Sequence, residues 1–109
     1  MRLENQILKD LHGRTVKNFT DILIMKSLRK ESPLSGYELI MLFHEKFHLL
    51  LSSGTVYSKL YSMERDGLIK GEWNGRKRVY QLTEKGKETI DFILKSRNAN
   101  LQLMREILS

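Results

Sequence analysis

The chain has 109 residues, enough for one hydrophobic core and too few for two domains of ordinary size. Its composition, 40% hydrophobic and 29% charged, is that of a folding chain, and 19 Lys and Arg against 13 Asp and Glu leave a formal net charge of +6. Such an excess attracts polyanions, nucleic acid first among them in a cell, while the lack of cysteine excludes disulfides, thiolate metal sites and a cysteine nucleophile.

At the start of the chain, residues 1–6 are polar and carry an acid, which does not read as a signal peptide. Leu3, Ile7, Leu8 and Leu11 then recur at helical spacing, with Gly13 as the expected C-terminal cap. A second helix is expected from about Asn18, with Phe19, Ile22, Leu23, Met25 and Leu28 as its apolar set, ending in the cluster before Pro33. Ser35-Gly36-Tyr37-Glu38 fits a capping box and opens a third helix, lined by Leu39, Leu42, Phe43 and Phe47. Ser52 or Ser53 caps a fourth, which runs to about Asp66 and closes at Gly67. Apolar runs such as residues 22–25 and 49–51 fall far short of the roughly 18 to 20 residues that span a bilayer, so a cytoplasmic protein without a membrane partner is expected.

From Leu68 the period changes. Residues 68–73 and 76–82 flank Asn74-Gly75, the strongest short signal for a two-residue hairpin turn, and that register sets Glu72 opposite Lys77. Thr83 then begins a last helix running to the C-terminus, with Ile90, Ile93, Leu94, Leu101, Met104 and Leu108 as its stripe and with Gly86 and residues 98–100 weakening it.

This order predicts a mainly α fold with a small β-hairpin, a winged helix-turn-helix; because the stripe reaching Leu108 exceeds what so small a core can cover, N- and C-terminal dimerisation helices are expected, unless both ends fold back onto their own core. Residues 1–14 form the N-terminal helix, 15–83 the DNA-binding domain and 84–109 the C-terminal helix. In such a fold the helix before the hairpin enters the major groove. At 100° per residue, Val56, Leu60 and Met63 share its core side, while Gly54, Ser58, Tyr61, Ser62 and Arg65 gather opposite, flanked by Thr55, Lys59 and Tyr57. Ser and Thr hydrogen-bond base edges or phosphates without holding the helix off the groove, whereas ordinary solvated positions favour Glu and Lys. Arg76-Lys77-Arg78 follows the hairpin tip and offers three cations for phosphates, unless it is simply an edge strand protected by charge.

An enzyme is the rival from another class. His44-Glu45-Lys46-Phe47-His48 matches the helical zinc-protease string, but no third ligand accompanies it, and no catalytic residue, metal site or cofactor is assigned. A winged helix used for protein contact, or as a non-specific chromatin component, is the other alternative.

Gly36-Tyr37-Glu38-Leu39, Ser53-Gly54-Thr55-Val56-Tyr57, Leu60 with Met63-Glu64-Arg65-Asp66-Gly67-Leu68-Ile69, and Arg78-Val79-Tyr80-Gln81-Leu82-Thr83-Glu84-Lys85-Gly86 together resemble the signatures of PadR-type transcriptional regulators. The resemblance covers about residues 18–90. It implies a repressor that binds operator DNA as a two-fold dimer, with Thr55 and Tyr57 near the DNA-facing start of the recognition helix. It also admits a small-molecule effector at the dimer interface, although the sole tryptophan, Trp73, lies in the wing. Ser58 departs from the family, which often has proline there, and the wing is short. The expected DNA-facing residues are Tyr37, Ser53, Thr55, Tyr57, Ser58, Lys59, Ser62, Arg76, Lys77 and Arg78. The expected dimerisation residues are Leu3, Ile7, Ile90, Leu94, Leu101, Met104 and Leu108.

Overall fold

The capping box is formed as the sequence implies. Ser35 Oγ accepts the Glu38 amide N–H at 3.1 Å and Glu38 Oε1 accepts that of Ser35 at 3.2 Å, an arrangement whose loss costs about 1 kcal/mol in typical helices. In the computed structural model, which describes residues 2–109, this box starts α3 (Gly36–Phe47), after α1 (Arg2–Asn18), α2 (Thr20–Lys30) and the short β1 (Leu34–Ser35). Then come α4 (Ser53–Arg65), β2 (Ile69–Asn74), β3 (Lys77–Leu82), α5 (Glu84–Lys95) and α6 (Arg97–Leu108).

Helical spacing explains which faces meet. Ile24, Met25 and Leu28 of α2, Leu39 and Phe43 of α3, and Val56, Leu60 and Met63 of α4 pack into one core, closed by Ile69, Tyr80 and Leu82 of the sheet. Leu42, expected on that core face, is instead exposed.

The sheet has three strands in the order β1-β3-β2, all antiparallel, because Leu34 and Ser35 pair with Tyr80 and Val79. The hairpin register differs from the expected one. Asn74 pairs with Lys77 and Glu72 with Val79, so the loop is Gly75-Arg76 and the Glu72–Lys77 pair does not form. Gly75 takes φ +65°, and among the described non-glycine residues only His48 has a positive φ. A turn with glycine in its first central position and an ordinary residue in its second satisfies those angles. The alternative loop would need a positive φ at Asn74.

Both ends also depart from expectation. Helix α1 passes through Gly13, which does not adopt the left-handed conformation of a cap, and ends only at Asn18. The buried Thr20 hydroxyl then donates to the Lys17 carbonyl at 2.8 Å and closes the helix end. The C-terminal helix is two helices, broken at Ser96, whose hydroxyl donates back to the Phe92 carbonyl at 2.9 Å. Ile90, expected at a dimer interface, is 0% exposed and belongs to the chain's own core, and Leu94 packs partly against the same core.

Leu3 and Ile7 of α1, with Leu101, Met104 and Leu108 of α6, stay exposed, and neither helix contributes a fully buried residue. The radius of gyration is 15.2 Å, against roughly 13 Å for a compact domain of this length. Of these two helices, only the end of α1 touches the core, through Val16, whereas α5 packs on it through Ile90 and Leu94. No described helix is long and apolar enough to cross a membrane.

Candidate nucleic-acid interface

Ser52 caps α4. Its hydroxyl accepts the Thr55 amide N–H at 3.1 Å and lies 2.8 Å from the Thr55 hydroxyl, so the start of this helix is rigid and its remaining N–H groups point outward. With Val56, Leu60 and Met63 buried, the opposite face presents Gly54, Ser58 and Tyr61 exposed and Thr55, Lys59 and Ser62 half-buried along it, while Ser53 is exposed at the helix start. The Ser62 hydroxyl donates back to the Lys59 carbonyl at 3.1 Å, which leaves its oxygen free to accept. None of the α4 residues expected to face DNA is buried.

Tyr57, 46% exposed, lies across the start of α3: a Cβ on Gly36 would stand 2.5 Å from its ring. Glycine at position 36 therefore lets the α4 tyrosine lie against the start of α3, while Tyr37, the next residue, is exposed. Tyr57 extends the polar face of α4 toward α3.

The wing is built differently from the expected row of three free cations. Arg76, in the loop, is exposed and makes no ion pair with any described residue. Lys77 Nζ sits 2.9 Å from Glu38 Oε1, and Arg78 Nη2 2.6 Å from Glu64 Oε2. Alternation along β3 sends these two side chains to opposite faces of the hairpin, one to α3 and the other to α4. The Lys77 ammonium, with the Ser35 hydroxyl and amide behind it, holds the Glu38 carboxyl below its ordinary range. Burial pushes the Tyr80 phenol up, outweighing the pull of the adjacent Arg78 charge, so Tyr80 stays neutral beneath the wing.

Several contributing residues were invisible in the sequence. Glu38 and Glu64 hold the wing cations from positions 39 and 14 residues away along the chain respectively, as the numbering of the pairs shows. Lys17 joins Asn18, Ser52, Gly54, Thr55, Ser58 and Lys59 around an open cleft of about 600 Å³ at the start of α4. Ending α1 at Gly13 hides Lys17 from a sequence reading, since only the longer helix carries it there.

The histidine pair does not form a helical metal site. His48 is the C-cap of α3 in the left-handed conformation, φ 55°, so it leaves the helical path that an i, i+4 pair requires. Among the described residues no group of three or more His, Cys, Asp or Glu is placed to hold a metal ion.

Comparison with known proteins finds the same fold. A PadR family transcription regulator from Clostridium difficile R20291 is 28% identical, covering 84% of this chain and 99% of its own, with a TM-score of 0.73. A PadR family regulator from Eggerthella lenta superposes over all of this chain and 98% of its own with a TM-score of 0.80, a likeness of fold at 18% identity. Bacillus subtilis PadR, solved in complex with operator DNA, is 26% identical over 69% of this chain and 46% of its own, with a TM-score of 0.60. No curated protein matches. The sequence profile of the transcriptional regulator PadR-like family matches residues 24–91, from α2 into α5. With well over half its length inside that profile, the chain belongs to the PadR-like family of transcriptional regulators.

Proposed function

We propose that this regulator is a repressor that recognises a palindromic operator as a homodimer, in the cytoplasm, with α4 as the recognition helix. The observation that carries the reading is the hydroxyl-rich outer face of α4, with Tyr57 on one flank and the wing following directly in the chain. Ser53, Thr55, Tyr57, Ser58, Lys59 and Ser62 are its groove-facing set. Arg76 meets a phosphate, and Lys17 adds a second cation where the start of α4 already favours an anion. The operator complex of Bacillus subtilis PadR supports the same use of the fold here.

Homodimerisation rests on the uncovered apolar faces of α1 and α6, which would be a liability in water without a second subunit. A two-fold dimer presents two copies of α4 to two half-sites, hence a palindrome. Repression follows from occupying the operator, and a small-molecule effector that alters the dimer would release it.

Selection of bound duplexes from random DNA, with the mass of the protein in solution measured alongside, tests this reading. A palindromic consensus and a dimeric mass are expected. Uniform, salt-sensitive coating of any duplex would instead favour a non-specific chromatin role, and no DNA binding at all a protein-contact role.

A further inference from the structure

The Arg78 guanidinium is held by one carboxylate and lies near two aromatic rings. Glu64 Oε2 accepts from Nη2 at 2.6 Å, and the same carboxylate oxygen accepts the Gly71 amide N–H at 3.3 Å. A Cβ on Gly71 would stand 2.8 Å from Arg78 Nε, so the missing side chain is what lets the guanidinium lie flat across β2. The rings of Trp73 and Tyr80 flank it, with centroids 5.5 and 5.9 Å from Cζ. One carboxylate from the last turn of α4 therefore holds both strands of the wing, β2 through its backbone and β3 through its arginine. To turn Nη2 to a phosphate, Arg78 would have to give up the Glu64 carboxylate.

We propose that Glu64 and Arg78 are positioning residues that lock the wing to the recognition helix and so govern operator discrimination without touching DNA themselves. The inference rests on α4 being the recognition helix. The pair is only about two-thirds withdrawn from solvent, with side chains 32% and 34% exposed, so its effect lies in geometry more than in global stability. Planarity matters: a lysine at position 78 retains the charge but offers no flat guanidinium to lie across Gly71 and against the Trp73 and Tyr80 rings. A wing fixed relative to α4 brings Arg76 and the α4 face to the duplex in one register, and a loose wing binds any duplex about equally.

Glu64→Gln separates this account from a direct contact by the sign of its effect. If Arg78 is a phosphate ligand held back by Glu64, removing the carboxylate charge frees it and tightens binding. If the pair is a lock, preference for the duplex selected by the wild-type protein, over a scrambled duplex of equal length, falls by about tenfold. Binding of the scrambled duplex stays the same or tightens slightly as a negative charge is removed. Arg78→Lys is expected to behave like Glu64→Gln.

Trp73, the sole tryptophan, reports on the wing without DNA. Time-resolved fluorescence anisotropy should show a larger fast local motion in both variants, with thermal unfolding still cooperative. Tighter binding of the selected duplex by Glu64→Gln, full discrimination by Arg78→Lys, or an unchanged Trp73 anisotropy would each overturn the proposal. If Glu64→Gln does not fold, Arg78→Lys carries the test alone. Failure of the wild-type protein to select any sequence counts against the proposed function, and the Trp73 measurement still decides whether the lock exists.

Discussion

Gly86, in the first turn of α5, lies so close to Leu68 that a methyl group at position 86 would run into the Leu68 carbonyl oxygen. That oxygen also accepts the Thr83 amide N–H at 3.1 Å, while the Thr83 hydroxyl bonds the Gly67 carbonyl at 2.6 Å and accepts the Gly86 amide N–H at 3.1 Å. Residues 82–86 thus weld the exit of the hairpin to its entry, and the glycine permits the approach. It strengthens the fold at a point where helix propensity alone would count it a weakness.

Gly86→Ala should therefore destabilise the whole domain, by roughly 1–3 kcal/mol as an overpacking strain against backbone. Thermal unfolding checks this. An unchanged or raised midpoint, as an ordinary glycine-to-alanine helix substitution would give, contradicts the packing account.

Ile90 and Leu101 were both expected at a dimer interface, and the structure separates them. Ile90→Ala should cost roughly 2–5 kcal/mol of folding stability, as a large-to-small change in a packed core. Leu101→Lys, on the exposed face of α6, should leave the helix content seen by circular dichroism intact and shift the sedimenting species toward monomer. A dimer that survives Leu101→Lys unchanged would remove α6 from the interface.

Tyr57 is held between the start of α3 and the outer face of α4. Replacing it with alanine should weaken binding to the selected operator on the order of tenfold while scarcely changing binding to unrelated DNA. Equal losses on both duplexes would show that Tyr57 only supports the fold. Gly36→Ala, which pushes the ring aside, should reproduce part of the effect.

Arg76 and Lys17 should behave as phosphate contacts. Replacing either by alanine is expected to weaken operator and unrelated DNA alike, and to reduce the slope of log affinity against log salt by about 0.9. An unaltered slope would place that side chain away from the backbone.

Most of the scaffold was legible in the sequence because its signals are local. The Ser35–Glu38 capping box, the i, i+4 core set of Val56, Leu60 and Met63, and the closing Gly67, with φ +78°, each depend on residues a few positions apart. The hydroxyl face of α4 follows from the same periodicity. What was not legible depends on chain separation. The two-residue β1 has no alternation to detect, and its partner lies in β3. The turn could close on either side of Gly75, and pairing across the finished sheet chose between them. Lys77 and Arg78 read as free cations because Glu38 and Glu64 are distant in sequence. Ile90 read as part of one long stripe because the weak stretch at residues 98–100 signals a break without showing which side of it packs on the chain's own core.

The central claim, that two copies of α4 and its wing read a two-fold operator, is tested most directly by footprinting on a duplex selected from random DNA, with the mass of the complex determined in the same solution. The account predicts two protected half-sites about one helical turn, ~34–36 Å, apart and two chains per duplex. Protection without a two-fold pattern, or saturation by a single chain, would contradict it.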